Sequence, residues 1–451
     1  MTACAVWSHD YPSGVSNLGH QQVWALADDA PGWSADRIYA LDRPEGRPVS
    51  FAWDRPLGSF DLVLASVCFE NDYPALLDTL NAAGLLAGHG ERGGPLLVAG
   101  GVAPSLNPLP LAPFFDAVCR GDAEAVLPSV LEGIYSNPPR TREEAWSLFS
   151  KFGLHVDALE APGEQKVWTS RTYAASEMVH PEGHFGETAL VELGRGCPRR
   201  CRFCAVCWSA GGFRPADPDA LREQILGVTR NLDVNRVGLV GAAVAEGDGF
   251  RDLLKWLKEK GLRATASSLR ADLVKGDTAR LLVELGQQTL TLSAEAGSQG
   301  LRDALGKGLS DGEILAAAAA ARKAGARGLK LYLMYGLPGE TDDDLRAAGT
   351  LTAEIKKNLG RTRLTVSASP FVPKPGTPLA DSPLLDEREL RRRRELLAGA
   401  LRRAGVGSFT GESPRQALWQ AALTRGDGTI LPRLLEGETR GTLIKEAVNR
   451  R

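Results

Sequence analysis

At 451 residues the chain is too long for one ordinary domain and suited to two or three. Apolar content of 43% and charged content of 24% are those of a globular protein, and a formal net charge of -2 excludes an overall basic, nucleic-acid-binding character. No apolar run spans a bilayer, no basic-then-apolar leader opens the chain, and the cysteines do not form a secreted disulfide framework, so a cytoplasmic location is expected.

Residues 1–150 alternate short apolar runs with helical spacing. Runs at 3–7, 37–40, 61–68, 95–99 and 117–119 read as strands, and 18–27 and 76–86 as helices. That alternation predicts a parallel α/β sheet of Rossmann-like type, in which ligands bind beyond the carboxyl ends of the strands. Ser66, Gly100 and Gly101 fall at such ends. His20 reads first as a histidine at a helix start. Cys4, Cys68 and Cys119 lie within apolar runs, where free cysteine behaves as a small hydrophobe. Residues 151–188 read as a linker, with Pro138-Pro139 and Pro162-Gly163 marking a less regular stretch. His180 and His184 are separated by Pro and Gly, which argues against a helical metal pair.

Residues 189–380 repeat strand and helix. Strands are predicted at 189–192, 236–240, 264–267, 289–293, 329–334 and 364–369. Helices are predicted at 218–231, 250–260, 278–285, 301–324 and 344–358. This spacing predicts a partial, TIM-like (β/α)6 barrel, whose chemistry belongs at the carboxyl ends of its strands. Residues 381–451 read as a helical extension. Its arginine-rich segment, 386–403, is expected to be the charged face of an ordinary helix rather than a surface for RNA.

After the first barrel strand comes Gly-Arg-Gly-Cys-Pro-Arg-Arg-Cys-Arg-Phe-Cys-Ala-Val-Cys-Trp, residues 194–208. Cys197, Cys201 and Cys204 form a CxxxCxxC triplet. A cubane iron–sulfur cluster normally takes four thiolates, so three leave one iron open. Zinc is the competing reading, although no second cysteine hook follows. Cys207 could bind an auxiliary centre, relay electrons, react, or simply pack.

With Phe203 before its last cysteine, this loop resembles the signature of radical S-adenosylmethionine (SAM) enzymes. The resemblance implies a 4Fe-4S cluster held by Cys197, Cys201 and Cys204, SAM chelated to the open iron, and reductive cleavage to a 5′-deoxyadenosyl radical. It also implies SAM contacts at Phe203, Gly241, Ala242, Ser268, Arg270, Glu295, Lys330, Gly336 and Val372, with Glu295 on the ribose. Gly241-Ala242-Ala243 lacks the acid of the family's Gly-Gly-Glu element. Ion pairing is the alternative for Arg270 and Lys330. The first domain resembles the cobalamin-binding domains fused to such barrels, which makes Ser66, Gly100 and Gly101 candidate cobalamin contacts. Its loop lacks the DxHxxG motif, so either cobalamin binds without a protein histidine or the fold has outlived the cofactor. Methylthiotransferases are similar too and raise a second cluster as an alternative; this chain has no appended all-β RNA-binding module. The reading is a radical SAM enzyme, with cobalamin-dependent methyl transfer to an unactivated carbon as its reaction. Cobalamin-independent sulfur insertion and a non-catalytic iron–sulfur carrier stay as alternatives. An external flavodoxin or ferredoxin would supply the electron; neither a membrane nor a nucleic-acid partner is expected.

Overall fold

Strands β1 (Thr2–Trp7), β2 (Ser34–Tyr39), β3 (Leu62–Ser66), β4 (Leu96–Gly100) and β5 (Ala117–Val118) form one parallel sheet in the order β2-β1-β3-β4-β5. The computed structural model describes all residues except 43–45, 87–93, 157–163, 209–210, 247–248, 408 and 450–451. The expected boundary at Pro162-Gly163 therefore lies outside the described residues. β3 is buried along its whole length, as a parallel strand covered on both faces must be. β2 begins earlier than its apolar run because Asp36 sits inside it. That carboxylate, 1% exposed, accepts the Ala52 and Trp53 backbone N–H groups, so a polar residue occupies an apolar strand.

The second unit begins with β6 (Ala189–Glu192). A two-residue antiparallel clamp, β7 (Gly194–Arg195) against β8 (Arg214–Pro215), closes the cysteine loop at its base. β9 (Arg236–Val240) and β10 (Arg263–Ala266) join β6 in a parallel sheet. β11 (Thr289–Glu295), β12 (Gly328–Tyr335) and β13 (Arg363–Pro370) form a second one. A parallel bridge between Leu269 and Leu292 connects the two, giving the expected six-stranded open barrel.

Period-two alternation sorts the side chains of this half-barrel. Leu290, Leu292, Leu329, Leu331, Leu333, Val366 and Ala368 are buried in one cluster with Ile314, Ala318, Leu345 and Ile355 of the surrounding helices. The alternate positions, Thr291, Ser293, Glu295, Lys330, Tyr332, Thr365 and Ser367, are only half-buried and face the interior.

The predicted helix 301–324 is two helices, Gln299–Ala304 and Asp311–Lys323. Gly306 and Gly308, at φ 67° and 53°, end the first. A capping box of Ser310 and Glu313 starts the second. The C-terminal extension contributes helices Glu387–Arg403, Pro414–Thr424, Ile430–Leu435 and Arg440–Asn449. On the first of these, Arg391, Arg392 and Arg393 are taken up by Glu387, Glu389, Asp342 and Glu340. Arg394 of the same run lies over the Phe409 ring instead.

One buried carboxylate joins all three parts. Glu70, just beyond β3 and 3% exposed, pairs with Lys374 of the loop after β13 at 2.6 Å. It also accepts hydrogen bonds from Gln420 and Thr424 of the C-terminal extension, each at 2.8 Å. Burial pushes its pKa up, but Lys374 and Gln420 outweigh that and leave it below the usual value.

Candidate metal and cofactor site

The cysteine loop is shaped by glycines that nothing else could replace. A Cβ on Gly196, at φ 74°, would lie 2.0 Å from the Gly212 carbonyl oxygen, and one on Gly194 would lie 2.6 Å from that of Arg214. The β7–β8 clamp therefore holds the two ends of the loop together. Cys201 is buried and Cys197 and Cys204 half-buried, and all are free thiols. Burial pushes the Cys201 and Cys204 thiols up, and their neighbours add to it: Cys204 acts on Cys201, and Cys197 acts on Cys204. Lys307 and Arg270 pull Cys201 the other way. Three thiols gathered in one loop are the donor set a cationic centre would satisfy. As the side chains stand, no group of three or more metal-ligating residues among the described ones is arranged around a common ion position. Cys207 serves the loop itself, its thiol lying 3.2 Å from the Cys204 carbonyl and 3.5 Å from that of Cys201.

Glu295 stands at the end of β11, where a bulge between Ser293 and Glu295 shifts the register. It has φ 69°, a left-handed conformation rare outside glycine and common where a side chain is aimed for use. Its carboxylate pairs at 2.9 Å with Lys307, which is 7% exposed. Lys307 sits in the Gly306–Gly308 break, so a continuous helix would have carried it away from Glu295. Arg302, fully buried, ties the assembly together. It donates to the carbonyls of Ala296 (2.9 Å), Gly297 (3.1 Å) and Leu309 (2.7 Å) and pairs with Asp311. Gly297 is fixed from the other side: a Cβ there would lie 2.3 Å from the Ala348 backbone nitrogen.

The other expected contacts divide. Phe203 packs against the cluster that contains Ala296, Leu337 and Phe371, which brings the cysteine loop against the ends of β11, β12 and β13. Gly241, at φ 151°, approaches the Gly194 carbonyl, so the β9 end abuts the loop. Ala242 faces a cavity described below. Ser268 is exposed. Arg270 is engaged with Asp272 (3.0 Å) and the carbonyls of Lys307 (2.8 Å) and Gly308 (3.0 Å), which makes it a tether for the Lys307 loop. Lys330 faces the interior with its ammonium 4.9 Å from the Tyr332 ring. Gly336, at φ 77°, donates its N–H to Glu340 at 2.7 Å. Val372 is half-buried beside Phe371. Lys307 and Arg302 carry the site and escaped the sequence reading; the Gly-Lys-Gly interruption was the available signal.

Beyond the ends of β3, β4 and β5 lies a cavity of about 370 Å³. Leu64, Val98, Val126, Leu127, Val130 and Leu154 make it largely apolar, and Ser66, Gly100, Gly101, Ser105 and Gln165 line it too. Its far wall belongs to the barrel: Glu192, Gly194, Arg195, Gly196, Ala205, Val206 and Ala242. An occupant would therefore touch the residues flanking Cys197 and Cys204. Arg195 closes the seam, pairing with Asp122 (3.0 Å), Glu124 (2.7 Å) and Glu192 (3.1 Å). Gly101 serves the chain more than the cavity, since a Cβ there would lie 2.3 Å from the Val67 carbonyl oxygen. Among the described residues no imidazole lines the cavity. His20 turns instead between Trp7 and Tyr39, each 5.7 Å away by ring centroid, and burial pushes its pKa down to about 3. Cys68 and Cys119 line the cavity, whereas Cys4 is buried in the core.

A partial β/α barrel with a three-cysteine loop after its first strand and a strained acid at the end of its fourth defines a radical SAM architecture. Comparison with known proteins agrees. The family described as "Radical SAM superfamily" matches residues 191–351, and "Radical SAM proteins, N-terminal" matches residues 19–153. An uncharacterized protein of Methanocaldococcus jannaschii is 31% identical over 385 residues, covering 84% of this chain and 80% of that protein. The chain belongs to the radical SAM superfamily, whose members are enzymes that use a 4Fe-4S cluster and SAM. A tRNA-2-methylthio-N(6)-dimethylallyladenosine synthase of a Sulfurihydrogenibium species is 28% identical over 214 residues, covering 45% of this chain and 47% of that one. In fold, the chain is similar to TsrM from Kitasatospora setae, a radical SAM methyltransferase solved with cobalamin and a [4Fe-4S] cluster bound. The TM-score is 0.59 at 13% identity, over 87% of this chain and 75% of that one. It is similar also to the cobalamin-dependent SAM radical enzyme OxsB, at TM-score 0.59 and 14% identity, over 93% of this chain and 66% of that one. Among the described residues no helix is long and apolar enough to cross a membrane.

Proposed function

We propose that this radical SAM enzyme holds cobalamin in the cavity between its two units and transfers a methyl group to an unactivated carbon. The observation that carries the reading is the cavity itself: one wall is the end of the N-terminal sheet and the other is the cysteine loop. When bound, the cluster and SAM supply one-electron cleavage chemistry and cobalamin supplies methyl transfer. Cys197, Cys201 and Cys204 would hold the cluster. Glu295 would accept the ribose hydroxyls of SAM, with Lys307 moving off its carboxylate or sharing it. Phe203 and the cluster of Phe371 would pack beside SAM there and help exclude water. Leu64, Val98 and Leu127 offer an apolar seat, with Ser66 and Ser105 as hydrogen-bonding rim.

The test is anaerobic purification with cobalamin supplied, followed by iron, sulfide and cobalt analysis on one sample. Four irons, four sulfides and one cobalt per chain are expected, as a cubane and one corrinoid require. Reduction with SAM should then give 5′-deoxyadenosine or methylated product. Iron and sulfide without cobalt would leave the radical SAM enzyme standing and turn the reaction toward sulfur insertion, the chemistry named for the Sulfurihydrogenibium relative.

A further inference from the structure

The cysteine loop has two faces. One lines the cavity through Gly194, Gly196, Ala205 and Val206. The other looks to solvent through Pro198, Arg200 and Arg202, all exposed. Three arginines sit among the cysteines, and only Arg199 is neutralised, by Glu246 at 2.7 Å. The other two guanidinium groups meet no carboxylate among the described residues. Arg200 lies over the Trp208 ring at 5.0 Å, and Arg202 donates to the Ala304 carbonyl at 3.2 Å. On helix Glu387–Arg403, by contrast, Arg391, Arg392 and Arg393 are each matched by an acid. In a chain of net charge -2, the pair at Arg200 and Arg202 is a local positive spot on the outer face of the loop. Directly beneath it, the Trp208 indole N–H donates to the carbonyl of Cys201 at 2.9 Å. An exposed cation, a half-buried indole and a cysteine peptide are thus in continuous contact from solvent to the loop's interior.

We propose that this Arg200–Trp208–Arg202 face is the docking surface for a small acidic electron-carrier protein, and that Trp208 couples the carrier to the cluster. The proposal rests on the iron–sulfur reading above. One electron leaves the carrier and one arrives at the cluster; no bond is made or broken, and no proton has to follow. Encounters of this kind are small and transient, and charge complementarity governs their on-rate. An indole under one exposed arginine, with a second exposed arginine two residues along the loop, suits a reduced flavodoxin, whose acidic surface surrounds an exposed flavin edge. The opposite face of the loop stays free for the cavity's occupant, so electron delivery need not displace it.

The experiment uses the full chain with a fluorescently labelled flavodoxin as probe. Binding is measured by anisotropy at low and high ionic strength, and cluster reduction by absorbance after mixing with reduced flavodoxin. Three variants are compared with the unmodified chain: R200E/R202E, the equally charged control R402E/R403E, and W208F. R200E/R202E should weaken binding at low salt by about tenfold, with the difference shrinking at high salt. The control should bind as the unmodified chain does. W208F should bind normally but be reduced more slowly, having lost the bond to Cys201. A photoreduced deazaflavin, which needs no docking surface, should bleach the cluster in every variant. If it does so while R200E/R202E binds flavodoxin like the control, the docking surface is wrong and the cluster reading survives. If no reductant bleaches anything, the cluster reading falls and takes this proposal with it.

Discussion

The two sheets offer opposite surfaces at the carboxyl ends of their strands. At the barrel mouth the polar groups are tied down by one another: Glu295 to Lys307, Arg302 to three carbonyls, Arg270 to two more. At the N-terminal sheet the strand ends open onto a cavity walled mostly by aliphatic side chains. A site that must orient a charged zwitterion needs fixed donors and acceptors, set in place before the ligand arrives. A site that seats a large cofactor by its shape needs volume and dry walls. The comparison teaches that the first kind leaves identifiable residues in a sequence, and the second leaves only hydrophobic strands.

Substitutions should separate the two surfaces. The largest effect is expected at the barrel: alanine at Cys197, Cys201 or Cys204 should abolish both iron binding and product, read as loss of cluster absorbance and of 5′-deoxyadenosine. A Cys201 variant retaining both would falsify the assignment of the loop. Next, Ala123→Trp places a large ring in the cavity wall. Cobalt content should fall at least tenfold, on the order of 1.4 kcal/mol of lost affinity or more, while iron content stays unchanged. A parallel drop in iron would mean that the two sites are not separable.

Arg302→Met tests whether the barrel mouth is preassembled. It leaves three buried carbonyls and Asp311 without their donor and should cost roughly 3–5 kcal/mol in urea unfolding. At a temperature where the variant is still folded, SAM affinity should also drop, because Glu295 loses its anchored neighbours Ala296 and Gly297. Normal SAM binding in the folded variant would make Arg302 a stabiliser only.

The remaining prediction concerns the N-terminal sheet and is a pH dependence. Folded His20 titrates near 3, against 6.5 for the free side chain. Below 6.5 the unfolded chain takes up a proton that the folded chain refuses, so stability is complete above that pH and is lost as pH falls toward 3. The ceiling is about 5 kcal/mol. His20→Phe should flatten this part of the acid limb, measured as melting temperature between pH 7 and about pH 4. Identical limbs in both proteins would show that His20 is already neutralised by some other route.

Much of this was legible in the sequence. The strand–helix alternation, the cysteine loop and the strand-end acid all declare themselves through spacing and residue type. Less visible was everything set by long-range contact. Asp36 hid the start of β2 because its partners, Ala52 and Trp53, are a loop away. Lys307 was masked by an alanine-rich helical pattern that the two flanking glycines interrupt. Arg270 read as a ligand clamp or an ion-pair partner alike, and the carbonyls it holds gave no sign in the sequence. Of the cavity only the strand-end residues Ser66, Gly100 and Gly101 could be read, since its other wall comes from residues far along the chain.

The Glu70 junction limits how the molecule can be divided. Its carboxylate lies in one unit, its counter-charge in the barrel and its hydroxyl and amide donors in the tail. A cut between the units would strand a negative charge inside a greasy surface on one fragment and orphan a lysine on the other. Evolution, or an engineer, could not exchange the front half of this enzyme as a cassette without carrying that cluster across or erasing it whole.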